Sequence, residues 1–486
     1  MNRLRQPSAA LMFFVFTLAA WAIQATTGEL ASLDDYRHAR YAAELFANDF
    51  HVFGHPFLPL TLVGQHRADL WLGFHELLAL FLRADDTLLP RAKLLAALCA
   101  ACAPTALYVV LRRRAVEFPS LWAAFAVVCC PAWAFRDLML RPAGMALALG
   151  LLVFQWSNEG RWRLPMVWGA LYAWLHVSAP VSVALALLGA LSAPRGASKF
   201  SRFIPVLATG AGLAIGLLTR PDAMEYLNLA WVQGTVPFSG HVPHIGQELR
   251  APALSDLLLH ESIPFVLGML MLWPALRAKR WSEAAFFSIA FIASLFVRRF
   301  ADFLLPASMI LAAPALSVPQ FSKRVAIALG LSLVPLGAYT ASLTRDSFEE
   351  NVREVEPAAA LLAAKPGLVL NTNCFDFPMY YFHAPSVPFV CGYDPSFLAV
   401  QNPKAFWVWE HVRREGRYCE TRECDAPASV ESVERAMDFL GARWLALGNA
   451  ERDATLLNLL SDSGPGLVKR YNGDTPDDVV LFERVR

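Results

Sequence analysis

Two adjacent carboxylates, Asp34 and Asp35, follow directly after the first apolar segment of the chain. Charged groups at the end of an apolar segment are costly unless they face water, a cation or a substrate. A carboxylate within hydrogen-bond reach of a hydroxyl group can accept its proton, and a second carboxylate beside it is expected to raise its pKa. The pair therefore predicts a site for proton transfer or cation binding. The competing interpretation is a solvated helix end.

Arginines occur at two later segment ends, and their chemistry suits an anion. Arg136 and Arg141 lie between two apolar segments, and Arg298 and Arg299 lie between two others. A planar guanidinium group matches the oxygens of a phosphate, and it stabilises the negative charge that develops when a phosphate leaves. The alternative for each arginine is an ion pair with a neighbouring aspartate or a contact with lipid headgroups.

The composition is that of a membrane protein. Of the 486 residues, 56% are hydrophobic and only 17% are charged, whereas a soluble domain carries about 25% charged residues. This deficit predicts a polytopic membrane protein. The net charge is +1 and the chain has no basic tract, so no nucleic-acid partner is expected.

Hydrophobic segments divide the first 344 residues into eleven candidate membrane helices. They are 9–27, 88–111, 119–135, 142–156, 164–176, 178–192, 203–219, 263–276, 284–297, 303–318 and 325–343. Basic clusters fall on every second connection, for example at 112–114 and 277–280. If these clusters face the cytoplasm, the first segment is a retained signal anchor, the N-terminus is cytoplasmic and the chain beyond 344 lies outside.

Two external loops carry much of the remaining polar chemistry. The first loop, 28–88, contains an apolar segment at 69–83 that is too short to cross a bilayer and is predicted to be an amphipathic helix in the interface. The loop 220–262 contains His241, His244 and Glu248, and its length and composition predict a mobile lid. The two histidines lack a recognised metal-site spacing, so exposed histidines are favoured over metal ligands.

The C-terminal region, 345–486, is predicted to be a small extracytoplasmic α/β domain. Its expected strands are 367–371, 387–391, 443–447 and 479–482, and its expected helices are 347–364, 429–440 and 453–461. Four of the eight cysteines lie here and allow three pairings, of which Cys374 with Cys391 and Cys419 with Cys424 are favoured. The other four cysteines lie in apolar segments and are expected to be inert, packed thiols.

The first loop carries a resemblance to a known family. The run Asp35-Tyr36-Arg37-His38-Ala39-Arg40 resembles the Asp-x-Tyr-Tyr-His-x-Arg pattern after the first span of oligosaccharyltransferase catalytic subunits. The stretches 55–57 and 68–78 resemble the interfacial helices of the same loop, and the later arginine segments are also similar. Together they resemble the GT-C superfamily of integral membrane glycosyltransferases, which includes protein O-mannosyltransferases and aminoarabinose transferases. The Trp-Trp-Asp acceptor motif of true oligosaccharyltransferases is absent from the sequence, so sequon-dependent transfer to asparagine is not expected.

The resemblance implies a function. GT-C enzymes use a sugar linked to a polyprenyl phosphate or pyrophosphate, and an acidic residue of the first loop acts as general base or metal ligand. On this chain that role falls on Asp35 or Asp34, of which Asp35 aligns better with the run, although the sequence does not separate the two. The implied reaction is inverting sugar transfer to an extracytoplasmic glycan, lipid or protein in a bacterial inner membrane. A transporter or flippase of lipid-linked sugars, or a non-catalytic scaffold, is the alternative.

Further roles follow from the same resemblance. His38 and Arg40 are expected to orient the site, and the phosphate is expected to contact Arg298 and Arg299, with Arg136 and Arg141 as further candidates. His176, at a proline-containing turn, is a weaker candidate for the lipid phosphate. A divalent Mg²⁺ or Mn²⁺ ion would be held by Asp35 and by Glu248, which occupies the place of an acidic residue in a mobile outer loop.

Overall fold

The structure is a computed structural model of the whole chain. It describes residues 6–52, 54–192, 200–239, 242, 250–253, 255, 261–317, 322–350, 355–448, 453–461, 466–473 and 479–485. The described chain is mainly helical, with a small mixed sheet close to the C-terminus.

Helices occupy all eleven segments predicted to be membrane helices. The α-helices up to residue 350 are Ala9–Gln24, Leu33–Ala47, Leu62–Gln65, Leu72–Ala79, Leu88–Ala100, Cys102–Arg113, Pro119–Val128, Pro131–Leu138, Ala143–Asn158, Arg163–Leu175, Val181–Ala190, Ile204–Thr219, Ala223–Thr235, Ser262–Arg277, Trp281–Phe296, Ala301–Leu316 and Ser322–Glu350. The last of these continues past the predicted domain boundary at 344.

Four of the described helical segments are long and apolar enough to cross a membrane. They are Leu88–Arg113, Ser201–Thr219, Arg298–Leu316 and Ser322–Arg345. Two helices, Pro119–Val128 and Pro131–Leu138, meet at an angle of 90° and would together make a fifth. Further apolar helices of 10–17 residues accompany them, and the chain is an integral membrane protein. Eleven crossings and a cytoplasmic N-terminus stay predictions.

The first loop is folded into helices that pack on each other. The predicted interfacial helix at 69–83 is shorter than expected, Leu72–Ala79, and it packs against the helix Leu33–Ala47. Leu80 and Phe81 just beyond it are exposed, whereas Asp69 and His75 are buried. The Asp69 and His75 side chains therefore face the interior of the protein, whereas Glu76 and Arg83 are half-buried.

The described part of the C-terminal domain has four strands: β1 (Leu368–Asn371), β2 (Ala442–Leu447), β3 (Leu467–Asn472) and β4 (Val480–Arg484). Their order is β1-β2-β4-β3; β1 pairs with β2 in parallel, and the other pairs are antiparallel. The expected strand at 387–391 is wrong, because this segment makes only an isolated bridge between Val369 and Phe389. The strand β3 was not predicted. Lys469, Arg470 and Asn472 are exposed, so β3 lacks the buried apolar run that indicates the other strands.

The helices of this domain agree with the prediction only in part. The expected helix at 347–364 is divided between the end of Ser322–Glu350 and a separate helix, Glu356–Ala364. The helices expected at 429–440 and 453–461 are present as Val430–Leu440 and Ala454–Ser461. Three helices that the sequence did not indicate lie between β1 and β2; they are Phe377–His383, Pro395–Gln401 and Pro403–Glu415.

The cysteine predictions are confirmed. Cys374 is bonded to Cys391 and Cys419 to Cys424. The four cysteines of the apolar segments, Cys99, Cys102, Cys129 and Cys130, are free thiols that are buried or half-buried.

A shared apolar core joins the C-terminal domain to the first loop. Tyr36 and Phe57 of the loop pack in one cluster with Phe377 and Tyr381 of the C-terminal domain. The Tyr381 hydroxyl donates to Glu44 Oε2 at 2.6 Å. This core therefore fixes the position of the C-terminal domain relative to the helix Leu33–Ala47, which carries Asp34 and Asp35.

Candidate active site

A cavity of about 790 Å³ lies where the first loop, the membrane helices and the C-terminal domain meet. Its lining combines charged and other polar side chains from all three parts of the chain. These include Asp34, Arg37, His38, Arg136, Arg141, His176, Arg299, Asp302, Asn373, Tyr393 and Asp394. The cavity therefore holds most of the residues that the sequence indicated for chemistry, from segments far apart in the chain.

The two adjacent aspartates have different surroundings. Asp34 lines the cavity and is 36% exposed; its carboxylate lies 2.8 Å from Arg141 Nη2 and 3.8 Å from Arg37 Nη2. Asp35 is completely buried and accepts hydrogen bonds from the Ser32 backbone N–H at 3.1 Å and the Ser32 hydroxyl at 2.8 Å. These contacts belong to a capping box at the beginning of the helix Leu33–Ala47, in which the third residue of a helix accepts from the backbone N–H of the N-cap residue.

The pKa of Asp35 is raised, as expected for one of two adjacent carboxylates, but the main cause is burial and not the neighbouring charge. Burial raises the pKa of Asp35 to about 6, against the opposing effects of Arg141 and the Ser32 hydrogen bond, and the charge of Asp34 adds a smaller increase. Aligning the family pattern on Tyr36, His38 and Arg40 puts its leading aspartate at Asp34. The spacing of the pattern therefore favours Asp34 as the family's acidic residue, and Asp34 is also the one of the two that lines the cavity.

Arg37 is a cavity residue that the sequence did not indicate. Its guanidinium carbon lies 4.5 Å from the Trp71 ring centre and 4.2 Å from that of Tyr393, so the group lies against two aromatic rings. The side chain is 3% exposed, and no described residue accepts a hydrogen bond from its Nε or Nη1. Its signal in the sequence was the departure from the family pattern, which has tyrosine at this position.

His38 lies beside this arginine. Its Nε2 is 3.0 Å from Arg37 Nη2, and its Nδ1 is 2.7 Å from the Nε2 of buried His75. Burial and the Arg37 charge hold the pKa of His38 well below its usual range, so this ring is neutral. His38 lines the cavity, whereas Arg40 is absent from the described cavity lining and forms an ion pair with Glu44 at 3.0 Å.

The structure separates the predicted arginines. Arg299 lines the cavity, with its Nη2 3.4 Å from His176 Nε2, whereas Arg298 is not among the described lining residues. Arg141 pairs with Asp34. Arg136 forms a two-contact ion pair with Asp302, at 2.9 and 3.1 Å, which is the alternative that the sequence left open. Arg250 and Arg413 also line the cavity and were not predicted.

The described residues do not form the metal site that the resemblance implied. No three His, Cys, Asp or Glu side chains among them converge on a point where an ion could be held. The Asp35 oxygens are turned to Ser32, and Asp34 contacts arginines. His241, His244 and Glu248 lie outside the described residues. We therefore derive no reaction step through a metal.

No protein-family model matches the chain, and no curated protein matches it. Solved structures do share its fold. The archaeal oligosaccharyltransferase AglB from Archaeoglobus fulgidus, in complex with an inhibitory peptide and a dolichol-phosphate, aligns with a TM-score of 0.58 and 11% identity over 90% of this chain and 69% of that chain.

Two further structures are similar over nearly the whole chain. ArnT from Cupriavidus metallidurans, bound to undecaprenyl phosphate, aligns with a TM-score of 0.55 and 15% identity over 98% of both chains. The arabinofuranosyltransferase AftD from Mycobacteria aligns with a TM-score of 0.53 and 15% identity over 98% of this chain and 41% of that one. All three are GT-C glycosyltransferases. At these identities the likeness shows the fold, and the predicted GT-C fold is confirmed.

Proposed function

We propose that this protein is a membrane glycosyltransferase that transfers a sugar from a polyprenyl-phosphate-linked donor to an extracytoplasmic acceptor. The observation that carries the proposal is Arg37, a buried guanidinium group at the cavity wall with two polar atoms that no described residue satisfies. Burying a donor without an acceptor costs free energy, and more so for a charged group. A phosphate oxygen would satisfy it.

The arginines of the cavity wall support a phosphate as the anion. Arg37, Arg141 and Arg299 line it, and guanidinium groups suit the planar, two-contact recognition of phosphate. Two of the structural neighbours were solved with a dolichol-phosphate or undecaprenyl phosphate bound, which supports a lipid-linked phosphate here. His176 beside Arg299 is the further donor that we assign to the phosphate.

Asp34 is the residue that we assign as general base. An acceptor oxygen would attack the anomeric carbon while the bond from that carbon to the phosphate oxygen breaks, which inverts the configuration. The acceptor proton passes to the Asp34 carboxylate, and the departing phosphate keeps the electron pair, opposite the arginines. Asp35 acts as a positioning residue, because its contacts with Ser32 fix the beginning of the helix that carries Asp34.

The remaining assignments complete the proposal. The chain is divided into a membrane part, 1–344, and an extracytoplasmic domain, 345–486, which covers the cavity on the acceptor side. The N-terminus faces the cytoplasm and the C-terminal domain faces the periplasm of a bacterial inner membrane. The acceptor is a glycan, a lipid or a protein.

Sugar transfer from labelled membrane lipids tests the proposal. Purified protein is incubated with lipids from cells fed a radiolabelled sugar, and label is followed into acceptors of the cell envelope. Transfer by the wild-type protein and its loss in Asp34→Asn support the assignment. Movement of lipid-linked sugar across liposomes, without transfer, would indicate the flippase alternative, and neither activity would indicate a scaffold.

A further inference from the structure

A chain of buried polar side chains runs from the cavity wall into the first loop. Arg37 Nη2 contacts His38 Nε2 at 3.0 Å, His38 Nδ1 contacts His75 Nε2 at 2.7 Å, and His75 Nδ1 contacts Asp69 Oδ2 at 2.5 Å. His38, His75 and Asp69 are each at most 2% exposed. Arg37 and His38 line the cavity, whereas His75 and Asp69 are not among the described lining residues.

The two ends of this chain determine the direction of every hydrogen bond in it. An arginine can only donate, and a carboxylate can only accept. His38 Nε2 must therefore accept from Arg37, which places the proton of the neutral His38 ring on Nδ1. His75 Nε2 must accept that proton's hydrogen bond, so the His75 proton is on Nδ1 and is donated to Asp69.

The far end of the chain is firmly held. Asp69 Oδ1 accepts the Trp71 backbone N–H at 2.9 Å, and the Asp69 backbone N–H donates to Asp222 Oδ2 at 3.0 Å. Burial alone would raise the pKa of Asp69, but the His75 contact and the Trp71 hydrogen bond together hold it below its usual range. The carboxylate therefore stays ionised and keeps accepting from His75.

The consequence appears at Arg37. Its Nη2 contacts His38, and the rings of Trp71 and Tyr393 lie beside its guanidinium group. Its Nε and Nη1 are buried and have no acceptor among the described residues. A guanidinium group whose position is already fixed loses less entropy when it binds a phosphate.

We propose that His38, His75 and Asp69 are positioning residues that hold Arg37 at the cavity wall, where its guanidinium group faces the phosphate of the donor. The inference rests on the phosphate site proposed above and adds three residues that act on it through Arg37. A network that only stabilises the loop would contain the same contacts, so the test must detect coupling to Arg37.

Asp69→Asn is the decisive substitution, because it keeps the size of the side chain and lies outside the described cavity lining. If the oxygen of the introduced amide continues to accept from Trp71, the amide nitrogen faces His75 Nδ1, donor against donor. His75 and then His38 must move their protons to the opposite nitrogen, and His38 then presents N–H to Arg37. The reversed amide only transfers the conflict to the Trp71 N–H.

The measurement is the affinity of the full-length protein in detergent micelles for a short-chain polyprenyl monophosphate. Asp69→Asn and His75→Phe are each expected to weaken binding by about tenfold, the effect of one hydrogen bond to a charged group. His75→Gln retains an oxygen that can accept from His38 Nδ1, and it is expected to restore most of the affinity. Glu44→Gln alters a carboxylate on the helix of Arg37 but outside this chain, and it is the control, with a change below about twofold.

A double-mutant cycle separates positioning from general loss of structure. In an Arg37→Gln background, Asp69→Asn is expected to change the affinity by less than about twofold, since its effect passes through Arg37. Independent, additive losses, or an unchanged affinity in Asp69→Asn, would overturn the inference and leave the phosphate site standing. If Arg37→Gln itself does not weaken binding, the proposed phosphate site falls and this inference falls with it.

Discussion

The carboxylate of Asp34 and the guanidinium group of Arg141 form an ion pair of 2.8 Å at the cavity wall. The two residues are far apart in the sequence, one in the first loop and the other beyond the bent pair of helices. Their contact places a candidate proton acceptor beside a candidate phosphate ligand. An inverting transfer needs this proximity, because the acceptor loses its proton while the phosphate gains charge.

Asp34 and Asp35 are expected to fail in different ways. Asp34→Asn should lower the transfer rate by at least about a hundredfold with little change in the unfolding temperature, since it removes the base while the amide oxygen can still accept from Arg141. Asp35→Ala should lower the stability by about 1 kcal/mol, the usual effect of losing a helix cap, with a smaller loss of transfer per folded molecule. Transfer assays and thermal unfolding of the same preparations decide. A fully active Asp34→Asn variant would exclude the assignment.

Arg298 and Arg299 offer a matched pair of substitutions. Arg299→Gln should weaken binding of a polyprenyl monophosphate by about tenfold, because its guanidinium group lines the cavity beside His176. Arg298→Gln should have less than about a threefold effect, since Arg298 is not among the described lining residues. Titrations of both variants at the same ionic strength provide the comparison. Equal losses in the two variants would contradict this geometry.

The two disulfides should differ in their contribution to stability. The Cys374–Cys391 bond closes a loop with a separation of 17 residues, and Cys419–Cys424 closes one of 5. Loop-closure entropy gives about 3 and about 2 kcal/mol, respectively. Replacing each pair by alanine in the full-length protein and following tryptophan fluorescence during unfolding measures the difference. Because Cys374 also lines the cavity, only the first replacement should also lower phosphate affinity; a loss with the second would be unexpected.

Acid should destabilise the contact between the first loop and the C-terminal domain. His55 is buried beside Tyr393, whose hydroxyl lies 2.9 Å from His55 Nδ1, and burial lowers the pKa of His55 to about 3. A histidine with a lowered pKa contributes stability that is complete above its unfolded pKa, about 6.5, and is lost as the pH falls toward the folded value.

The expected loss between about pH 7.5 and about pH 5 is about 2 kcal/mol. His55→Phe removes the titrating group and should reduce the pH dependence of the unfolding temperature by a corresponding amount. Thermal unfolding in micelles at several pH values tests this. A variant that loses stability with acid as steeply as the wild-type protein would show that His55 is not the responsible group.

Much of the architecture follows from the sequence because it depends on local composition. Apolar segments of sufficient length form helices wherever they fall, so all eleven predicted segments contain one. The favoured cysteine pairs and three of the four expected strands were also correct. β3 could not be predicted, because half of its residues are exposed and it carries no comparable apolar pattern.

Only the tertiary structure decided which residues share the cavity. Successive residues of a helix point about 100° apart, so two adjacent aspartates can have different surroundings: Asp34 lines the cavity, whereas Asp35 is buried against Ser32. The same holds for Arg298 and Arg299, and for Arg37, whose role depends on Tyr393 far along the chain. The sequence determined which groups were available for chemistry; the rotation of each helix, fixed by long-range packing, selected those that meet.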